Sequence, residues 1–149
     1  MNEAIINRWN AVVDEEDTVY HLGDFAWGGI DKFLRRLKGH VVILKGSHDK
    51  QLGRLEKDSI LKIAPLKDEY GNDRTIILCH YAMRSWERSH YATWHLFGHH
   101  HGKLPPYGLS FDVGVDCWDF TPISLTEVAD KMATLKPNVD FRGKGNPSI

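Results

Sequence analysis

The chain has 149 residues, a formal net charge of −1, and 42% hydrophobic and 26% charged residues. This length suits a single globular domain with a sizeable core, and the near-neutral charge argues against a protein that binds nucleic acid through a basic field. No apolar run approaches the roughly 20 residues of a membrane span, and the first residues lack the features of a secretion signal. The two cysteines form no CxxC pair, which fits a reducing compartment. We therefore expect a cytoplasmic protein with no membrane partner.

The spacing of apolar residues predicts alternating helices and strands, which is typical of an α/β fold. Predicted helices cover residues 3–13, 29–37, 50–57 and 124–135, the last with Ser124 as N-cap and Glu127 completing a capping box. Predicted strands cover residues 18–22, 40–45, 60–64, 67–70, 75–79, 94–97 and 109–115, with a hairpin turn over 71–74. The tail has few apolar residues, so we predict one domain over residues 1–136 and a C-terminal tail over 137–149.

Four predicted strands are followed at once by side chains that bind metals or protons. These are Asp24, His48 with Asp49, His80, and His99 with His101. Ligands in open α/β sheets bind beyond the carboxyl ends of the strands, so we expect these residues to meet at one sheet edge. Residues two apart in an extended segment point the same way, so His99 and His101 could face one spot while His100 points elsewhere.

This set of side chains suits hydrolysis at one or two divalent cations. The two oxygens of Asp24 can bridge a pair of metals, and imidazoles can fill the outer positions. A histidine that is not bound to metal can protonate a leaving group. Nitrogen and oxygen ligands without a thiolate admit Mn, Zn, Fe, Ni or Co. Three protein ligands and a water also suffice for a single catalytic zinc.

Taken together, these motifs resemble the calcineurin-like metallophosphoesterases. The matching stretches are Gly23-Asp24, Gly46-Ser47-His48-Asp49, His80 after its strand, and Gly98-His99-His100-His101. Their local context is similar to that of a small bacterial and phage subgroup, and the resemblance covers about residues 1–135. It implies two mixed β-sheets packed as a sandwich and flanked by helices, with the metal site at the sheet edge.

The resemblance also implies a role for each matching residue. Asp24 would be the bridging ligand, His80 and His99 would bind the second metal, and His101 would bind the first metal. His48 would be the leaving-group acid or a phosphate contact, and Asp49 would orient His48. On the loop after His80, Arg84 could bind a phosphate through two hydrogen bonds, although a solvated arginine is commoner in such a loop.

Two departures from the family keep an alternative open. The family's first strand, which carries Asp-x-His, is missing before Gly23, and Ser47 stands where the family has an Asn. Ser47 would then be a ligand of the second metal, but a weaker one, because a neutral serine hydroxyl is shorter than an Asn carbonyl and binds metal less well. The first reading is a hydrolase that cleaves a phosphomono- or phosphodiester with a metal-bound hydroxide. The alternative is a catalytically weak or silent relative that binds one metal or none and acts by binding. The expected partner is a phosphate ester; a nucleotide or nucleic acid has little support, and self-association stays open.

Overall fold

The computed structural model describes residues 3–25, 29–49 and 59–138. The helices are α1 (Glu3–Val12), α2 (Ile30–Leu34) and α3 (Leu125–Ala133), and a 3-10 turn spans Val115–Cys117. The strands are β1 (Thr18–His21), β2 (His40–Ile43), β3 (Ile60–Lys67), β4 (Asp73–Cys79), β5 (Trp94–Phe97) and β6 (Ser110–Asp112). The predicted helix over 50–57 and the tail from 139 lie outside the described residues. None of the described helices is long and apolar enough to cross a membrane.

The strands form two sheets, and helices flank them, as expected for an α/β fold. β1 and β2 pair in parallel, with Thr18 opposite His40 and His21 opposite Ile43. The larger sheet has the order β3-β4-β5-β6 and is mixed, because β3 is antiparallel to β4 while β4, β5 and β6 are parallel. The parallel strands deliver the ends of β4 and β5 to the same edge.

Several predicted boundaries were wrong. Residues 60–64 and 67–70 were expected as two strands, but β3 is one strand with an irregular register between Ile63 and Leu66. This irregularity contains Pro65, which has no N–H to donate to the ladder. β6 ends at Asp112 rather than at 115, because the Asp112 carboxylate accepts the Gly114 N–H (2.8 Å) and turns the chain.

The N-terminus of α3 confirms the predicted capping box. The Ser124 hydroxyl accepts the Glu127 N–H (3.2 Å), and the Glu127 carboxylate accepts the Ser124 N–H (2.8 Å). Both donors would otherwise lack partners within the helix. Val128 and Met132, four residues apart, are buried on the face that this cap orients.

Two groups of buried side chains stabilise this arrangement. The inter-sheet core joins the two sheets and α3 and consists of Leu22, Leu44, Ile76, Leu78, Trp94, Leu96, Leu109, Phe111, Val128 and Met132. The helix core lies where α1 and α2 cover β1 and β2 and consists of Ile6, Trp9, Val13, Phe25, Leu37 and Ile43. The chain in and just after β1 and β2 therefore contributes side chains to both cores.

A cavity of about 1230 Å³ runs along one edge of β1. Residues 18–22 all line this cavity. Because alternate residues of a strand point to opposite faces, a cavity on one face would contact only every second residue. The cavity therefore lies beside the strand. Its other walls include Trp9 of α1 and Ile76 and Leu78 of β4. Among the described residues, no strand pairs with this edge of β1.

His95 is hydrogen-bonded to the loop that follows β4. Its side chain is fully buried; its Nδ1–H donates to the Ile77 carbonyl (3.0 Å) and its Nε2 accepts the Met83 N–H (3.1 Å). Burial lowers the pKa of His95, so the neutral imidazole that can make both bonds is favoured. The loop after His80 is thus held against β5.

Candidate metal centre

Asp24, His80 and His99 come together at the carboxyl ends of β1, β4 and β5. One ligand-type atom from each lies within 4.8 Å of the others. The His80 Nε2 atom is 3.0 Å from the His99 Nδ1 atom and 3.2 Å from the Asp24 Oδ2 atom. Three of the residues that the strand-end pattern singled out therefore form one cluster.

Glycines let the loops after β1 and β2 approach each other. Gly23 has a φ of +98°, and a Cβ there would lie 2.5 Å from the Gly46 Cα. A Cβ on Gly46 would lie 2.2 Å from the Asp24 backbone nitrogen. Asp24 itself has a φ of 56°, in the left-handed region that Asp tolerates better than most residues. This close packing aims the Asp24 carboxylate at His80.

A backbone carbonyl fixes the protonation pattern of His80. The ring is buried, and its Nδ1 lies 2.7 Å from the Leu22 carbonyl oxygen. A carbonyl only accepts hydrogen bonds, so Nδ1 carries a proton, and a lone pair of the neutral ring lies on Nε2. A carbonyl partner of this kind is common for metal-binding histidines, because it sets both the tautomer and the ring orientation. The Nε2 atom faces Asp24 and His99.

The electrostatics of the cluster favour the ligand forms of Asp24 and His99. Partial burial opposes ionisation of Asp24, but hydrogen bonds from the His48 N–H and the Ser47 hydroxyl, together with nearby His80, lower its pKa. Partial desolvation and the neighbouring imidazoles lower the pKa of His99, although Asp24 opposes this. An ionised carboxylate and a neutral imidazole are the forms that bind cations.

The Gly46–Asp49 segment supports Asp24. The buried Asp49 carboxylate accepts the backbone N–H groups of Asp24 (2.7 Å), Phe25 (3.2 Å) and Gly46 (2.7 Å). The Ser47 hydroxyl donates to the Asp24 Oδ2 atom (3.0 Å). Asp49 thus ties the two loops together through backbone groups, and Ser47 contacts the carboxylate of the cluster.

His48 and Arg84 are both exposed. The His48 N–H donates to the Asp24 Oδ1 atom (2.7 Å), and the residue is exposed. Arg84 is exposed on the loop that follows His80. Neither residue belongs to the three-residue cluster.

The histidine-rich segment is a turn, so the expected extended conformation of residues 99–101 was wrong. His99 and His101 have φ angles of 65° and 50°. As a consequence, His101 does not join the cluster; its Nδ1 hydrogen-bonds to the carboxylate of Asp116. His100 contacts Phe97 edge-on, with the ring centroids 5.8 Å apart.

Sequence reasoning missed two acidic residues that hold this turn. Asp116 pairs with His101, and the Asp112 carboxylate accepts the Gly102 N–H (3.0 Å). Asp112 is an acidic residue at the end of a strand, as Asp24 is after β1. This position is the signal that could have identified Asp112 from the sequence. Sequence reasoning also missed Tyr81, whose ring lies against His80 and His99.

His21 lies in β1 beside the cluster. Burial lowers its pKa to about 4, although Asp49 and Asp24 oppose this effect. Its Nδ1 atom has no hydrogen-bond partner among the described residues, and its ring packs edge-on against Phe25 at 4.8 Å. His21 is therefore a neutral packed side chain behind the candidate site.

One curated protein resembles this chain over most of its length. The uncharacterized protein MJ1445 of Methanocaldococcus jannaschii is 31% identical over 137 residues, which cover 84% of this chain and 71% of that protein. No protein-family model matches the chain. No solved structure matches it either.

Proposed function

The chain belongs to the same family as protein MJ1445 of Methanocaldococcus jannaschii, and we propose that it is a metal-dependent phosphoesterase that hydrolyses a phosphomono- or phosphodiester. The proposal rests on the cluster of Asp24, His80 and His99 and on the metallophosphoesterase-like motifs that contain these residues. The relative's name states no activity, so the argument depends on the site itself.

The observation that carries the proposal is the arrangement of hydrogen-bond acceptors around His80 Nε2. In the neutral ring, the lone pair on this atom faces an Asp24 oxygen at 3.2 Å, while the Nδ1–H donates to the Leu22 carbonyl. Two acceptors at this distance repel each other unless a cation or a shared proton lies between them. A divalent cation satisfies the carboxylate and both imidazoles at once, so the residues present fit a metal.

Asp24, His80 and His99 would hold the ion, and nitrogen and oxygen ligands admit Mn, Zn, Fe, Ni or Co. Such an ion activates water and neutralises charge on phosphoryl oxygens. The three-residue cluster favours one ion, because the predicted ligand His101 does not belong to it. The exposed His48 is the proposed proton donor to the leaving group, and Arg84 the proposed phosphate contact.

We also propose that the described residues form a metallophosphoesterase-like sandwich in which β1 has one edge without a strand partner. The cavity of about 1230 Å³ along the open edge of β1 supports this interpretation. Helix α1 packs on the same face as α2, so a strand pairing in parallel with β1 and joined to α1 would repeat the β1-α2-β2 unit. The cavity lies where such a strand would run.

A second candidate function is binding without turnover. The observation that favours it is that the cluster holds only three of the predicted ligands, Asp24, His80 and His99, and leaves out His101. A protein of this kind would bind one ion or none and would recognise a phosphate ester without cleaving it.

Metal analysis and a turnover assay separate these functions. The purified protein should hold about one transition metal per chain and should hydrolyse bis(4-nitrophenyl) phosphate or 4-nitrophenyl phosphate. Asp24→Asn and His99→Gln should lose both the metal and the turnover. The control His40→Gln changes an exposed histidine at the start of β2 and should keep both.

Each result supports or contradicts one of the two functions. Bound metal without turnover of either ester supports the binding function. The absence of bound metal and of turnover in added manganese contradicts the phosphoesterase proposal. Equal metal content in Asp24→Asn, His99→Gln and His40→Gln would also contradict it, because the metal would then lie elsewhere.

A further inference from the structure

Tyr81 presents an aromatic ring on the solvent side of the metal cluster. It directly follows His80, and 48% of the residue is exposed. Its ring centroid is 4.7 Å from that of His80 and 4.8 Å from that of His99, with interplanar angles of 78° and 62°. Asp24, His80 and His99 line the cavity beside β1 and Tyr81 does not. The exposed ring therefore flanks the cluster outside that cavity.

The position of this ring is fixed before any ligand binds. His80 is anchored by the Leu22 carbonyl, and the edge-on contacts hold Tyr81 against both imidazoles. His95 fastens the following loop through the Met83 N–H. A tyrosine held in this way offers contact area at a low cost in conformational entropy, because it has few rotatable bonds to immobilise.

We propose that Tyr81 is a stacking platform and that the substrate is a nucleoside phosphate whose base packs on this ring. This inference rests on the proposed phosphoesterase function, which places the phosphate at the Asp24, His80 and His99 cluster. Bases stack on aromatic side chains whatever their sequence identity, since each has a π-face. The exposed ring touches two of the proposed metal ligands, so it lies next to the position proposed for the phosphate. The nucleoside is esterified to that phosphate and must therefore lie close to the ring.

The test compares two ligands that differ only in the base, adenosine 5′-monophosphate and ribose 5-phosphate. Calorimetric titration of the manganese-loaded protein should show the adenosine compound binding about tenfold or more tightly. Tyr81→Leu should remove this preference, so that the two compounds bind with similar affinity. Tyr81→Phe is the matched control, because it keeps the ring, and it should keep the preference.

The outcomes distinguish this inference from the proposed function. If both ligands bind equally to the wild type, or if Tyr81→Leu keeps the preference, the stacking role is wrong although the phosphate site stands. If neither ligand binds, both proposals fail. The manganese content is measured for each variant. If Tyr81→Leu has lost its metal and Tyr81→Phe has lost the preference for the adenosine compound, the stacking role is also wrong.

Discussion

Replacing Asp49 with alanine should destabilise the protein more than any surface substitution. The carboxylate accepts three backbone N–H groups, of which those of Phe25 and Gly46 are buried and that of Asp24 is partly buried. A buried donor left without a partner costs about 1–3 kcal/mol, so the two buried amides alone predict a loss of about 2–6 kcal/mol. This is a large part of the roughly 5–15 kcal/mol that stabilises a typical domain.

The assay is urea unfolding followed by circular dichroism, with the midpoint and the slope fitted separately. Asp49→Asn should lie between wild type and Asp49→Ala, because its amide keeps one acceptor oxygen and turns an NH₂ group toward backbone donors. Asp130→Ala, which changes an exposed carboxylate on α3, should change the free energy of unfolding by less than about 0.5 kcal/mol. A loss below about 1 kcal/mol in Asp49→Ala, at an unchanged slope, would refute the assignment of Asp49 as the tie between the two loops.

Three further substitutions test other parts of the structure. Gly46→Ala places a Cβ 2.2 Å from the Asp24 backbone nitrogen and should lower both stability and metal content. The control Gly98→Ala, whose new Cβ would have its nearest atom 4.0 Å away, should keep both. Equal effects of the two substitutions would contradict the close approach of the loops after β1 and β2. Ser124→Ala should cost about 1 kcal/mol through loss of the helix cap, and a thermal midpoint equal to that of wild type would argue against the capping box. For His95, whose pKa is lowered by burial, the unfolded chain binds a proton that the folded chain does not, so the free energy of unfolding should fall as the pH drops below about 6.5. His95→Leu should weaken this pH dependence in urea titrations at pH 7.5 and 5.5, and parallel losses in both proteins would contradict the buried neutral imidazole.

The sequence predicted those features that depend on local periodicity. The capping box at Ser124 was identified because it needs only two residues three apart, and the box is present. The approach of Asp24, His80 and His99 followed from one rule about the carboxyl ends of strands. The rule applies to all three residues although they are far apart in the chain.

Other features depend on contacts that no local pattern encodes. The left-handed φ angles of His99 and His101 reverse the side-chain alternation assumed for a strand end, and neither residue is a glycine that would signal such a turn. The Leu22 carbonyl that orients His80 is a backbone group and has no residue signature. Asp116 could be recognised as the partner of His101 only once the turn after β6 was in place.

The cavity beside β1 has a consequence for strand pairing. The N–H and C=O groups along an unpaired strand edge are a template for pairing with another strand. The space of about 1230 Å³ beside β1 is partly open to solvent, so water or an added strand can reach that edge. Amide exchange in residues 18–22 should therefore be faster than in the central strand β5, and a peptide that pairs with β1 should slow it.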